Sequence, residues 1–390
     1  MVGSFSVNLT SHKPSTDKLC TTMINRTPSP SSSDSSDTFS ALLELWTPQD
    51  LDLIKKFQTR TVTTIGTGNS MKMYQREILG LATAHPFLMH CLMTLTMMHD
   101  RFLTGSFHTR QSAEEVSHWY RGTAMFKDAL SQTARRPDEK DALWASAALL
   151  GAIQFSYIEA STPEMAWPMK PASSDDLDWL SMSDGKKAVW KIADPLRPDS
   201  AFKDLAKDHV NIFQPRHQSV PHVDAPYAEF AKIFELDADS TKDTNPYHDA
   251  ACSLARLLHV ECNATTVLEF LSFISHVQPE LKKLIERKEP RALLLIACWY
   301  AKTYSYQWWI YRRGLLEGQS ICMYLDKYHP YEEAIHRLLE YPKQLLGFET
   351  SNGRREAEVA GQSFTLGWMY FAKNDRPWLP RRTIATVEAV

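Results

Sequence analysis

Between Pro290 and Leu325 the apolar positions are dense enough to organise the rest of the chain. Leu293, Ile296, Ala297, Tyr300, Ala301 and Tyr304 fall on one helical face, and Leu294, Leu295, Cys298 and Trp299 cover most of the remainder. A helix apolar almost all round is one buried in a large domain. Pro290 suits its first turn, where the missing N–H costs nothing. The pattern then changes. Trp308, Tyr311, Leu315, Gly318, Cys322 and Leu325 recur at alternating steps of three and four, which makes a single seam. Gly314 and Gly318 would each cost about 1 kcal/mol in a helix relative to alanine, so their use is to admit a neighbouring helix. The pattern predicts a buried C-terminal helical hairpin with the other helices wrapped around it.

Upstream, the same reading gives helices throughout. Thr47 and Pro48 resemble a capped helix start. A helix is predicted over Met71–Ala84. Another runs from His85-Pro86 to Leu103, with Leu88, Leu92, Leu95 and Phe102 on one face and Met89, Met93 and Met97 beside it. Further helices fit Glu114–Ser131, Asp138–Ile158, Asp184–Ala193, Tyr227–Phe234, Pro246–Cys262, Thr265–His276, Pro279–Arg287 and Tyr331–Leu339. Long alternating β patterns are absent from the sequence, and no repeat has a fixed period. Ser161–Ser183 and Asp194–Pro226 are rich in proline and aspartate and read as long loops. The expected fold is all-α: one large helical domain of about ten or more helices over 41–345. Residues 1–40, with the run TPSPSSSDSSD, cannot bury enough surface to order and read as a disordered tail, where Thr27 and Ser29 each precede a proline. Residues 346–390 read as a C-terminal extension.

Composition narrows the classes. A chain of 390 residues buries roughly three-quarters of its unfolded surface and needs no metal or disulfide staple. Its net charge of −3 and its isolated Arg pairs give no basic stripe of the kind a DNA-binding module carries. Five of the six cysteines lie in apolar helical patterns, which suits reduced core residues. No C-x-x-C occurs, so a binuclear zinc cluster has no ligand set here. The first residues lack the basic start and apolar core of a signal peptide. The most membrane-like window, Ala142–Ile158, is interrupted by Ser146, Gln154 and Ser156, so no membrane span is expected.

Several clusters could carry chemistry. Asp175, Asp176 and Asp178 form a DDLD patch that invites comparison with diphosphate-binding isoprenoid synthases. Trp179 stands where a DDxxD motif has its last aspartate, and no second motif is present. His248, Cys252, His259 and Cys262 fall on one face of the helix predicted over Pro246–Cys262. At 1.5 Å rise per residue they would span about 20 Å, whereas zinc wants its ligands within about 2–2.3 Å. No metal or other cofactor is therefore expected. Gly318-Gln319-Ser320 lacks the second glycine of a nucleophile elbow. His99 and Gln154 sit on apolar faces and need partners. With the aromatic Trp299, Tyr300 and Trp308 they are the candidates for receiving an apolar ligand.

The order of short motifs resembles the regulatory domain of fungal zinc-cluster transcription regulators of the sterol uptake control type. The run PRALLLIACWYAKTYSYQWWIYRRGLLEGQSI is the most specific part. Ala84-His85-Pro86-Phe87-Leu88, His118-Trp119-Tyr120, Asp141-Ala142-Leu143-Trp144, Trp179-Leu180 and Tyr341-Pro342 are similar to other family segments in the same order. Asp184 stands where that family has arginine. The resemblance implies an all-α domain, a sterol-like ligand, a zinc-cluster factor or co-regulator as partner, and a nuclear protein shuttling with the cytoplasm. It implies a regulator, not an enzyme. Without the cysteine cluster no direct sequence-specific DNA binding is expected. The competing readings are an all-α enzyme of isoprenoid type and an interaction module without a ligand.

Overall fold

The computed structural model describes residues 46–65, 68–106, 110–213 and 228–347. The tail expected over 1–40, with Thr27 and Ser29, lies outside these residues, as does the extension beyond 347. Among the described residues there are fourteen α-helices and no strand, so the all-α expectation holds. In chain order they are α1 Pro48–Thr59, α2 Gly68–Ala84, α3 Pro86–Leu103, α4 Ala113–Ser131 and α5 Pro137–Ser156. There follow α6 Asp178–Ala193, α7 Lys203–Phe213, α8 Ala228–Ile233, α9 His248–Leu257 and α10 Val267–Ser272. The last four are α11 Pro279–Glu286, α12 Pro290–Thr303, α13 Trp308–Tyr328 and α14 Glu333–Leu345. The chain parts at Asp52/Leu53 into two compact units. In the first unit Thr47 and Asp50 cap α1 reciprocally: Asp50 N donates to Thr47 Oγ1 at 3.2 Å and Thr47 N to Asp50 Oδ2 at 3.0 Å.

In the second unit α12 is the buried element. Ala292 through Tyr300 are all fully buried. Glu289 caps it, accepting from Ala292 N at 2.7 Å, and Pro290 occupies the first turn. α13 folds back on α12 after the turn at Tyr304–Gln307, and α14 closes on both. The predicted seam of α13 is one edge of a wider buried face that also holds Ile310, Arg313, Glu317 and Ile321, while Tyr311 and Leu315 are half-buried. Both glycines lie where α12 crosses. A Cβ on residue 314 would stand 2.8 Å from Tyr304 Cβ, and one on residue 318 would stand 2.9 Å from Leu346 Cδ1. The first neighbour is anchored to backbone; the second is the tip of a flexible side chain. Gly314→Ala is therefore expected to destabilise by about 1–2 kcal/mol, the overpacking exceeding the gain in helix propensity. Gly318→Ala is expected to be neutral or stabilising. Urea midpoints of the two variants check this, and a more stable Gly314→Ala would refute it.

Buried polar networks fix how α5 meets its neighbours. Arg313 Nε donates to Phe155 O at 2.9 Å, and its other nitrogens bind Tyr157 O and the Glu317 carboxylate. Tyr300 donates its hydroxyl to Glu317 Oε2 at 2.5 Å. One guanidinium thus ties the C-terminal end of α5 to the hairpin. At the other end of α5, buried Asp141 accepts from Arg197 Nη2 at 2.6 Å, Ser200 Oγ at 2.7 Å and Ala201 N at 2.9 Å. That cluster holds residues 197–201, and so the start of α7, against α5.

The boundaries correct several expectations. Asp194–Pro226 is not all loop, because α7 lies within it. Ser161–Ser183 contains a 3₁₀ turn at Pro163–Met165, and α6 begins at Asp178, six residues before the predicted Asp184. α9 stops at Leu257 and does not reach Cys262. α14 continues past Leu339 through Pro342, whose carbonyl still accepts from Leu346 N at 2.9 Å. No described helix is long and apolar enough to cross a membrane.

Candidate functional site

Helices α5, α6, α7 and α10 stand around a cavity of about 1190 Å³, which the segment 238–243 and the first turn of α9 also border. α5 turns small residues toward it, Ala148, Gly151 and Ala152, so the opposite walls do not collapse onto the helix. The walls are aromatic and aliphatic. Trp144 and Trp190 meet edge to face at 5.0 Å, and Leu205, Val267, Leu271 and Trp309 continue the surface.

The lining is also rich in polar groups, among them Lys186, Lys187, Lys191, Lys242, Asp243 and Asp249. Trp144 and Trp179 are buried, at 7% and 3% exposure, and Trp309 is half-buried. The indole N–H of each reaches no acceptor among the described residues. Buried donors are normally paired, and an unpaired one costs about 1–3 kcal/mol. Lys186 adds a fourth donor. Burial lowers its pKa below the usual lysine range, and among the described residues no carboxylate restores it. By surface area Lys186 is nevertheless exposed, at the edge of the cavity. His209, on α7, is pushed down to about 4, first by burial and then by the Lys186 charge. At the α9 end of the lining, Asp249 accepts from Gln278 Nε2 at 3.2 Å and His248 Nδ1 meets Ser240 Oγ at 2.9 Å.

None of the five residues singled out from sequence lines this cavity. His99 is buried, with Nδ1 at 3.0 Å from Thr61 Oγ1, and it stacks on Trp308 at 4.6 Å. Burial, reinforced by Arg60, lowers its pKa to about 4. Trp308 donates to Thr64 Oγ1 at 2.9 Å. Tyr300 belongs to the Arg313–Glu317 network, where burial and then the Glu317 charge hold its phenol well above the usual range. Gln154 is half-buried on α5, between lining residues Gly151, Ala152 and Phe155. Trp299 stands one layer behind the cavity. It stacks on the lining residue Trp179 at 6.0 Å, with 4° between the rings, and donates to Phe270 O at 2.8 Å. Trp179 and Trp309, not Trp299 and Trp308, thus join Trp144 and Trp190 at the wall.

The other clusters are dispersed. Asp176 pairs with Lys170 at 2.5 Å, and Asp175 accepts from Ser173. His248 and Cys252 lie on α9, whereas His259 and Cys262 lie beyond its end, so the four do not share a helix face. Among the described residues no group of three His, Cys, Asp or Glu side chains gathers as metal ligands would. Burial pushes the Cys252 thiol up to about 11 and the Cys262 thiol up to about 12.

The chain matches no protein-family model and no curated protein.

Proposed function

We propose that this chain is the ligand-responsive helical body of a transcription-regulator-like protein. The observation that carries the reading is the cavity between α5, α6, α7 and α10. Its volume of about 1190 Å³ exceeds the roughly 300–1,000 Å³ of most small-molecule sites. Its aromatic and aliphatic walls suit a large, mainly apolar metabolite of sterol or polyketide size. The motif order shared with fungal zinc-cluster regulators supports the transcriptional side of the reading. On that side the chain acts in the nucleus, through a finger-bearing zinc-cluster partner or a co-regulator, without reading bases itself.

The mechanism is a bias between two packings of the helices. A ligand moves such an equilibrium only by its differential affinity for the two states. The helix positioned to respond is α7, because it borders the cavity and is held to α5 at its start by the Asp141 cluster.

The test is thermal melting of the purified chain against a panel of sterols and polyketides. A true ligand at one hundred times its Kd is expected to add about 2.7 kcal/mol of stability. No shift across the panel would remove the ligand clause and favour a plain interaction module. A sequence-selective gel shift at physiological salt would overturn the indirect-action clause. Product release from prenyl diphosphates and magnesium would replace the whole reading with an enzyme.

A further inference from the structure

We infer that Gln307, together with Tyr74, reads the ligand of the cavity through an uncharged hydroxyl group. The inference rests on the ligand-binding reading above and goes further by assigning the residues that select the ligand's head.

Three observations converge. The first is that Gln307 is buried without being used. It is 6% exposed, lines the cavity and precedes α13, yet its side-chain amide makes no hydrogen bond among the described residues, the cap of α13 included. Tyr74, on α2, is 8% exposed, and its hydroxyl is likewise unpartnered among the described residues. Burial alone pushes that phenol up to about 12, so it keeps its proton. The other buried polar side chains of the lining are already partnered or out of reach. His248 meets Ser240, and Asp249 meets Gln278. The indole nitrogens of Trp144, Trp179 and Trp309 are sealed within the protein, whereas the Gln307 amide and the Tyr74 hydroxyl are open to the space both residues line. Buried polar groups are normally hydrogen-bonded, and here an incoming ligand supplies the bond.

The second is position. Trp308, next to Gln307, donates to Thr64 Oγ1 at 2.9 Å, which ties Gln307 to the turn Thr61–Thr64. α2 packs on the same turn, and Ile65, at its end, also lines the cavity. Gln307 and Tyr74 therefore serve one end of the space. The third is charge. Lys186, Lys187, Lys191, Lys242 and Asp243 are all exposed, so water solvates them and none of them calls for a charged ligand. The two unpartnered groups are neutral. A primary amide both donates and accepts, and so does a phenol. A hydroxyl group answers both needs. A ketone only accepts, and an ether only accepts and is bulkier. The apolar walls of Trp190, Leu205, Val267 and Leu271 then cover the hydrocarbon part.

The test uses three probes of one rigid skeleton: cholestanol, cholestanone and cholestanol methyl ether. Each is delivered on cyclodextrin to the full chain and read by microscale thermophoresis. The alcohol is expected to bind at least about tenfold more tightly than the ether, with the ketone between, because a site that hydrogen-bonds a hydroxyl rejects the analogue lacking it. Gln307→Leu is expected to bring alcohol and ether within about twofold of each other while changing the ether's affinity by less than about threefold. Tyr74→Phe is expected to reduce the preference by at least about threefold. Gln75→Met, an exposed change beside it on α2, is expected to leave the preference intact. Equal affinities for alcohol and ether in the unaltered chain overturn the inference, as does a preference that survives in Gln307→Leu. If none of the three binds but another member of the sterol and polyketide panel raises the melting temperature, the inference fails and the ligand-binding reading stands. If nothing binds, both fail. Should Gln307→Leu not fold, Gln307→Met takes its place under the same criteria.

Discussion

Arg313→Met is expected to destabilise the protein by about 3–5 kcal/mol, the range for removing one partner of a buried ion pair. The substitution keeps most of the side-chain volume, so packing contributes little of the loss. What it removes is the only charge that compensates Glu317 in the described core. Burial already holds the Glu317 carboxyl above its usual range despite Arg313 and Tyr300. The same change strips donors from Phe155 O and Tyr157 O, at the end of α5. Chemical denaturation of the single variant and of Arg313→Met/Glu317→Met separates the two costs. The double variant is expected to recover more than half of the loss, because no uncompensated charge remains. A single variant within about 1 kcal/mol of the parent would show that the network contributes little, since that is the scale of an exposed pair.

Trp299→Ala is expected to cost a similar amount, about 3–5 kcal/mol, for a different reason. Trp299 is fully buried and lies between two rings, Trp179 at 6.0 Å and Phe273 at 5.4 Å, with Phe155 edge-on at 6.0 Å. Truncation opens a void among large aromatic groups that are held by three separate helical segments. Trp299→Phe keeps most of the apolar volume and is expected to cost about 1–2 kcal/mol, chiefly the indole hydrogen bond to Phe270 O. Thermal unfolding of the pair checks the order. Equal losses would mean that the hydrogen bond, not the packing, dominates at this position.

The core of this fold is legible in the sequence because its signals are strong and local. An almost wholly apolar run after Pro290 reads as a buried helix, and two glycines one helical turn apart mark a close crossing. The cavity is less legible because its walls are built from segments whose flanks mislead. α7 carries Leu205, Ala206, His209 and Val210 at helical spacing, but Pro195, Pro198 and Pro215 on either side make the region read as loop. The acidic run at 175–178 draws attention to metal chemistry and hides the start of α6, whose later turns bring Lys186 and Trp190 to the wall. Lys186 itself has no sequence signature, since nothing in its spacing sets it apart from Lys187 or Lys191. Arg313 and Glu317 do have one, an i, i+4 pair of opposite charge set inside an apolar face. Which of neighbouring indoles faces the cavity depends on the phase of α13, and spacing alone does not resolve 308 from 309.

The parallel rings of Trp179 and Trp299 give the molecule an intrinsic optical gauge. One indole borders the cavity and the other is sealed in the interior, so filling the cavity alters an emitting group stacked on a shielded neighbour. Tryptophan emission is therefore expected to change when the cavity is filled, without any added dye.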